Sequence, residues 1–212
     1  MRNRNAPLTL AAIDSLDWEK MGGLLPAMVQ DRKTLQLLML AYMNRSALEE
    51  TLKGGRAVFF SRSRNELWRK GDTSGAFLEN AEVFTDCDSD ALLILADPAG
   101  PTCHLGTTSC FSEEGAPGLG WLGALERIID ARAANGGEES YTASLLSKGP
   151  KRISQKVGEE GVETALAGAA GDDGELLEES ADLVFHLMVL LKARGLSLGD
   201  VANILKARHE QK

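Results

Sequence analysis

Residues 77–96 read FLENAEVFTDCDSDALLILA and place two β-like segments on either side of a dense group of acids and a thiol. In the centre of this stretch, Asp86, Asp88 and Asp90 alternate with Cys87 and a serine. Three carboxylates this close repel one another, which is tolerable when a hard divalent cation such as Mg²⁺ lies among them. The stretch therefore predicts a metal site within a β-rich domain.

The alternation of acids can be read in other ways. On an extended strand the three aspartates would share one face, and Cys87 would lie on the other. An EF-hand loop also begins with alternating acids, but Ala91 stands where that loop requires glycine and apolar residues follow where ligands should be, so calcium is excluded. The plain alternative is that the aspartates are solvated side chains on an edge strand.

All three cysteines of the chain, Cys87, Cys103 and Cys110, lie in or shortly after this stretch. An odd number of clustered cysteines fits a reducing compartment and metal-binding thiolates better than a disulfide framework. Three thiolates leave one zinc position open for water, and zinc would lower the pKa of that water to about 7. His104 is a candidate fourth ligand or general acid/base. The alternatives are inert buried cysteines and a structural histidine.

A run of cations, hydroxyls, an aromatic side chain and a glycine-containing loop precedes the acids. This combination suits an anionic ligand that carries a base, with guanidinium groups and loop amides for phosphate and an indole for stacking. A solvated strand surface is the alternative for any one of these residues. The candidate substrate-binding residues are Arg62, Arg64, Trp68, Lys70, Thr73 and Ser74.

The character of the sequence changes after Phe111. Residues 112–120 are small, polar and flexible, as in a linker. We therefore predict an α+β protein, with a mostly-β metal-binding domain at 1–114 followed by an all-α helical bundle at 115–212. The predicted helices of the second domain, from their apolar periodicity, cover residues 121–134, 155–170, 175–194 and 198–209.

Acidic residues recur at helical spacing on two successive predicted helices. Residues three or four apart lie on one side of a helix, and an antiparallel pair joined across the glycine-containing turn 171–174 would bring the two acidic groups together around magnesium. Solvated acidic faces are the plain alternative. The candidate metal ligands are Glu159, Glu160, Glu163, Glu179 and Asp182, and the candidate phosphate-binding residues before them are Lys148, Lys151 and Lys156.

Composition excludes several classes of protein. Of 212 residues, 43% are hydrophobic and 25% charged, which is ordinary for a globular protein, and a formal net charge of -8 disfavours non-specific nucleic-acid binding. No apolar run reaches the roughly 20 residues that span a bilayer, so no membrane partner is expected. The first residues lack the apolar core of a signal peptide, and we expect a cytoplasmic protein.

Six stretches carry a resemblance to known families. LAYMNRSAL (40–48), FFSRSRNELWRKGDTSG (59–75), DCDSDALL (86–93) and GPTCHLGTTSCF (100–111) resemble phosphoribosyl-AMP cyclohydrolase. KGPKRISQKVGEEGVET (148–164) and EESADLVFHLMVLL (178–191) resemble phosphoribosyl-ATP pyrophosphohydrolase of the all-α type. In this order in one chain they resemble the bifunctional enzymes of histidine biosynthesis.

The resemblance implies two consecutive hydrolytic reactions. The C-terminal domain would hydrolyse phosphoribosyl-ATP to phosphoribosyl-AMP and pyrophosphate, with Glu160 catalytic and Mg²⁺ held by the five helical acids. The N-terminal domain would then open the adenine ring by zinc-activated attack of water at C6, with the three cysteines on Zn²⁺ and the three aspartates on Mg²⁺. The family pattern also implies homodimers with sites formed between subunits.

The chain departs from the family at two positions. Ala76 and Thr107 stand where many cyclohydrolases have histidine, so His104 or water would have to transfer protons alone. Two rival classes are a structural zinc module fused to a helical dimerisation domain and a zinc nucleotide deaminase. The sequence offers only His104 as a fourth zinc ligand for the first rival, and it lacks the deaminase signature of the second.

Overall fold

The computed structural model of the protein describes residues 5–137 and 140–210. The chain divides into two compact units, Met1–Ala124 and Leu125–Lys212. The first is β-rich and the second is helical, so the predicted α+β class is confirmed. The predicted boundary after residue 114 separates two functional domains rather than two compact units, and it stays a prediction.

The first unit is built on a four-stranded sheet with the order β2-β1-β6-β5. Strand β1 runs parallel to β6, and the pairs β1–β2 and β5–β6 are antiparallel. Strands β3 and β4 form a separate hairpin. The elements are a 3₁₀ helix (Leu10–Ser15), β1 (Leu25–Asp31), β2 (Leu37–Met43), α1 (Arg45–Gly54), β3 (Val58–Ser61), β4 (Glu66–Arg69), β5 (Leu78–Thr85) and β6 (Leu92–Pro98).

Helix α1 follows β2 directly because local signals fix both of its ends. The side chain of Asn44 accepts a hydrogen bond from the backbone N–H of Ala47 at 2.9 Å, which satisfies one of the free donors at the helix start. Gly55 ends the helix in the left-handed conformation, at φ 69°. Ala47 and Leu48 of the helix are fully buried in the same core as alternate residues of β1 and β6, namely Leu25, Ala27, Val29, Leu92 and Ile94.

Phe59 of β3 is fully buried and packs against Trp68, with ring centroids 5.6 Å apart. We expect Phe59→Ala to lower the free energy of unfolding of the first unit by about 3–5 kcal/mol, because it removes buried area and leaves a cavity. Trp18 and Trp68 lie in the β-rich part of this unit and Trp121 lies at the start of a helix that continues into the second unit, so tryptophan fluorescence in urea, measured in a Trp121→Phe background, reports on this unit. Phe111→Ala is the matched control: Phe111 is 60% exposed, and its loss should change stability by less than about 0.5 kcal/mol.

The helical part contains α2 (Gly120–Asn135), α3 (Tyr141–Ser147), α4 (Gly149–Ala170), α5 (Asp173–Ala193) and α6 (Leu198–Glu210). Helices α4 and α5 form a hairpin. Gly171 ends α4 at φ 76°, and the Asp172 side chain accepts hydrogen bonds from the N–H groups of Gly174 and Glu175 at the start of α5. The predicted pairing of these helices across a short turn is confirmed.

Two features of this unit differ from what the apolar periodicity of the sequence predicts, namely a further helix and several apolar side chains that are exposed. Helix α3 was not predicted; Ser140 caps it, and it is too short for a clear apolar repeat. The apolar side chains of Val162 and Leu166 on α4 and Leu177 on α5 are exposed in a single chain. None of the described helices is long and apolar enough to cross a membrane.

Candidate active sites

Residues 86–90, which hold the three aspartates and Cys87, lie in the loop between β5 and β6, and we call them the aspartate loop. Ser89 adopts the left-handed conformation there, at φ 66°. One oxygen of Asp86 accepts hydrogen bonds from the backbone N–H groups of Asp90, at 3.1 Å, and Ala91, at 3.2 Å. The expected strand alternation, with the aspartates on one face and Cys87 on the other, is therefore wrong: a turn closed by a side chain replaces the extended strand.

The turn still brings the three carboxylates together. Asp86, Asp88 and Asp90 each offer an oxygen, and these oxygens lie within 4.8 Å of one another. The ammonium group of Lys20 lies 2.7 Å from Asp88 and also pairs with Asp90. These hydrogen bonds raise the pKa of Lys20 and lower that of Asp88. A group of acids that already holds one cation has the oxygen donors that Mg²⁺ requires.

Cys103 and Cys110 lie on a tight segment that is anchored to β2. The backbone N–H of Cys103 donates to the carbonyl of Thr107 at 3.0 Å, which closes a turn. The backbone N–H of Cys110 donates to the carbonyl of Leu38 at 2.7 Å. These bonds place both thiols and His104 in the wall of one cavity of about 520 Å³, which we call the thiol cavity.

Cys87 does not join this pair of thiols within one chain. It is exposed on the aspartate loop, with its Sγ 3.8 Å from an oxygen of Asp88. Across the described parts of the chain, no group of three potential metal ligands combines Cys87 with Cys103 and Cys110. The zinc site made from the three cysteines stays a prediction, and a single chain brings together only two of its ligands.

The two cavity thiols differ in acidity. Hydrogen bonds, first from the backbone of Leu105 and then from Thr107, lower the pKa of Cys103. Burial and then the negative charge of Cys103 raise the pKa of Cys110. Because the thiolate is the nucleophile, we expect iodoacetamide at neutral pH to alkylate Cys103 before Cys110 in chelator-treated protein. Peptide mass spectrometry over a time course measures this order, and equal rates would contradict it.

Four of the predicted substrate-binding residues line the thiol cavity. The ammonium group of Lys70 is buried and donates to the carbonyl of Ala76 at 2.9 Å. Burial lowers the pKa of Lys70, while the charges of Cys110 and Cys103 oppose that shift. The hydrogen bond to Ala76 therefore fixes the position of the Lys70 amine in the cavity wall. The four residues are Trp68, Lys70, Thr73 and Ser74.

The two predicted arginines do not line the thiol cavity. The guanidinium of Arg62 stacks 3.8 Å from the ring centroid of Tyr42, in an open hollow that also includes Trp68. Arg64 pairs with Glu66 at 3.1 Å. Trp68 thus lines both the thiol cavity and the hollow that contains Arg62. Contacts of Arg62 or Arg64 with the substrate stay predictions.

In the helical unit, Glu160 and Glu163 of α4 meet Glu179 of α5. One oxygen from each lies within 4.8 Å of the others, and we call these three residues the helical carboxylate cluster. Glu160 is only 4% exposed, which is unusual for a charged side chain. The predicted ligands Glu159 and Asp182 are outside this group of three. Their metal-binding role stays a prediction.

The charges of the helical carboxylate cluster are incompletely balanced. Lys156 pairs with both Glu159, at 3.1 Å, and Glu160, and its hydrogen bond lowers the pKa of Glu160. The pKa of Glu163 is raised by its interaction with Glu160, and desolvation followed by the charge of Glu163 raises that of Glu179. Neighbouring negative charges make ionisation of a carboxyl group less favourable and so raise its pKa. A divalent cation bound among these carboxylates would reduce their mutual repulsion.

The other two predicted lysines lie at the start of α4. Lys148 is the residue at which α3 ends and α4 begins, and Lys151 is exposed in the first turn of α4. A helix N-terminus attracts anions through its free N–H groups, so both positions are suited to phosphate. Lys156, in contrast, contacts acids.

Sequence reasoning missed three residues that contact these sites. Lys20 reaches the aspartate loop from 68 residues away, and nothing local marks it. His186 is buried beside Glu160, and its position four residues after Asp182 on the same helix face was a signal that could have been used. Tyr141 hydrogen-bonds to His186 from the unpredicted helix α3.

A β-rich unit with a thiol cavity and an aspartate loop, followed by a helical unit with a carboxylate cluster, defines a protein with two sites suited to metal-assisted hydrolysis. Residues 39–112 match the family model of phosphoribosyl-AMP cyclohydrolase, and residues 122–209 match that of phosphoribosyl-ATP pyrophosphohydrolase.

Curated relatives contain both halves. The histidine biosynthesis bifunctional protein HisIE of Vibrio vulnificus is 52% identical over 201 residues, covering 93% of this chain and 94% of the relative. The HisIE protein of Xylella fastidiosa is 53% identical over 206 residues, covering 97% and 98%. That of Xanthomonas axonopodis pv. citri is 55% identical over 196 residues, covering 92% and 94%. The chain belongs to this bifunctional family, which confirms the resemblance.

Proposed function

We propose that the two activities of this family are divided between the two units of the chain. The family membership gives the chain phosphoribosyl-ATP pyrophosphohydrolase and phosphoribosyl-AMP cyclohydrolase activity in histidine biosynthesis. The helical unit would act first and release pyrophosphate, and the β-rich unit would then open the purine ring. The observation that carries this division is that each matched segment contains its own separate cluster of reactive side chains.

We infer that Mg²⁺ binds at the helical carboxylate cluster, with Glu159 and Asp182 as further ligands. The crowded charge on Glu160, Glu163 and Glu179 supports this role. Bound magnesium would neutralise charge on the phosphoryl group under attack. In this proposal the buried carboxylate of Glu160 would orient water and accept its proton, and Lys156, which pairs with Glu160, would bind a phosphate oxygen of the substrate.

For the β-rich unit, we infer that the aspartate loop holds Mg²⁺ near the substrate phosphate, where Lys20 now supplies the positive charge. The thiol cavity would hold zinc on Cys103 and Cys110, and thiolates are ligands that zinc favours. Bound zinc would supply activated water for attack at C6.

The residues of the thiol cavity can bind a purine and move a proton. Trp68 offers a stacking surface, and the buried hydroxyl of Thr102 has no hydrogen-bond partner among the described residues. His104, whose Nδ1 lies 3.9 Å from the sulfur of Cys103, would transfer the proton that accompanies cleavage of the C6–N1 bond. The N1 substituent leaves the purine cationic, so C6 is already electrophilic.

We propose that the protein is a homodimer in which Cys87 of one subunit completes the zinc site of the other. The separation of Cys87 from the two cavity thiols within one chain supports this arrangement. Exposed apolar side chains on α4 and α5, including Val162 and Leu166, support self-association as well. The free cysteines fit a cytoplasmic location.

The test is a two-step assay on the purified wild-type protein. With phosphoribosyl-ATP, Mg²⁺ and Zn²⁺ present, pyrophosphate release should precede a change in purine absorbance. With phosphoribosyl-AMP supplied directly, the absorbance change should occur without pyrophosphate. Release of pyrophosphate without ring opening under all metal conditions would remove the cyclohydrolase assignment.

A further inference from the structure

The hydroxyl of the half-exposed Tyr141 side chain is hydrogen-bonded to the buried ring of His186, which lies beside Glu160 of the helical carboxylate cluster. The hydroxyl of Tyr141, on α3, lies 2.9 Å from Nε2 of His186, on α5. Nδ1 of His186 lies 2.8 Å from the backbone carbonyl of Asp182. His186 is only 4% exposed. Both ring nitrogens are therefore engaged, and the ring cannot turn over without losing two hydrogen bonds.

These contacts select one tautomer of the neutral imidazole. A backbone carbonyl can only accept a hydrogen bond, so Nδ1 must carry the proton that is donated to Asp182. Nε2 is then an acceptor, and the hydroxyl of Tyr141 must be the donor. The hydroxyl from α3 thus fixes which nitrogen of His186 is protonated.

The fixed ring faces the most buried carboxylate of the cluster. Nδ1 of His186 lies 3.6 Å from Oε1 of Glu160, the same oxygen that pairs with Lys156. The Nδ1 edge of the ring therefore lies against the carboxylate of Glu160 while its N–H is donated to the carbonyl of Asp182. A carboxylate with so little exposure has few alternative conformations once that edge is in place.

We propose that Tyr141 and His186 are positioning residues for the pyrophosphohydrolase site. Tyr141 holds the ring of His186 in one tautomer and orientation, and the ring holds Glu160 where its carboxylate meets Glu163 and Glu179. The inference rests on the proposed function of this cluster. Neither residue belongs to the group of three potential metal ligands, and we expect both to set the metal affinity and the rate through Glu160.

The decisive variant is Tyr141→Phe, which removes one oxygen and keeps the ring stacked on Phe185, at a centroid distance of 6.3 Å. Replacement of residues that orient metal ligands typically costs 10–100-fold. We expect the Mg²⁺ concentration for half-maximal pyrophosphate release to rise about tenfold and kcat to fall about tenfold, with KM for phosphoribosyl-ATP unchanged. Mn²⁺ titration followed by electron paramagnetic resonance should show the same weakening without turnover.

A spectroscopic readout tests the mechanism in the metal-free protein. Nitrogen-15 NMR should show His186 with a protonated Nδ1 and an unprotonated, hydrogen-bonded Nε2, and Tyr141→Phe should shift the Nε2 resonance. His209 is the internal reference, since its Nδ1 lies 2.9 Å from the carbonyl of Leu205 in the same i−4 arrangement, but on an exposed face. His209→Gln should leave rate and metal dependence unchanged, whereas His186→Gln should reproduce the defect of Tyr141→Phe.

The outcomes separate the inference from the function on which it rests. If the wild-type protein releases no pyrophosphate, the proposed function fails. If the wild type is active and Tyr141→Phe, folded by circular dichroism, has wild-type metal dependence and kcat, the positioning role is overturned. A protonated Nε2 on His186 would overturn it as well. Ring opening of supplied phosphoribosyl-AMP should be equal in all of these variants.

Discussion

Glu160→Gln should reduce pyrophosphate release from phosphoribosyl-ATP by roughly 10²–10⁴-fold, the range for loss of a positioned general base. The substitution keeps the size of the side chain and removes its charge. Glu160 is buried between Lys156 and His186 and faces Glu163, so a neutral amide there weakens cation binding and cannot accept a proton from water. The effect should appear in kcat, with little change in folding.

The measurement is pyrophosphate release in a coupled assay, together with ring opening from each substrate. With phosphoribosyl-ATP, Glu160→Gln should block both signals, because no phosphoribosyl-AMP is formed. With phosphoribosyl-AMP supplied, ring opening should proceed at the wild-type rate. Glu178→Gln is the matched control, since Glu178 is exposed on α5 next to Glu179. Near-normal pyrophosphate release by Glu160→Gln would exclude the helical carboxylate cluster as the site.

The meeting of Glu160, Glu163 and Glu179 could be predicted from the sequence because every step of the argument is local. Helical spacing puts acids on one side of each helix, and the turn that follows Gly171 is short enough to force an antiparallel pair. What could not be predicted is how these charges are held. Tyr141 lies on a short helix with little periodic signal, and its contact to His186 crosses 45 positions of sequence.

The aspartate loop shows the opposite case. Alternating acids suggested a strand, but the carboxylate of Asp86 captures the backbone N–H groups of Asp90 and Ala91 and turns the chain. Short acidic side chains often compete with strand hydrogen bonding in this way. The sequence therefore predicted which residues form the site but not the backbone conformation that they adopt. Lys20 was unpredictable for another reason, because its contact with Asp88 depends on the tertiary fold alone.

Cys103→Ser should abolish ring opening of phosphoribosyl-AMP and leave pyrophosphate release from phosphoribosyl-ATP unchanged. The expected loss exceeds about 100-fold, since even residues that only orient a metal ligand contribute 10–100-fold. A serine hydroxyl is a poor zinc ligand at neutral pH, whereas the hydrogen bonds that lower the pKa of Cys103 favour its thiolate. Bound zinc per subunit, measured by mass spectrometry after dialysis, should fall together with activity. Normal ring opening by Cys103→Ser would show that the zinc assignment is wrong.

Mixing variants tests whether the zinc site is shared between subunits. Cys87→Ser and Cys103→Ser should each be inactive in ring opening as pure proteins. In a mixed dimer, one site would pair the intact Cys87 of the Cys103→Ser chain with the intact Cys103 and Cys110 of its partner. Random reassociation makes half of the dimers mixed, with one of two sites intact, so about a quarter of wild-type activity should return. If no activity returns although mixed dimers form, Cys87 does not act across the subunit interface. Because Cys87 does not join the cavity thiols within one chain either, this result would argue against a zinc site made from the three cysteines.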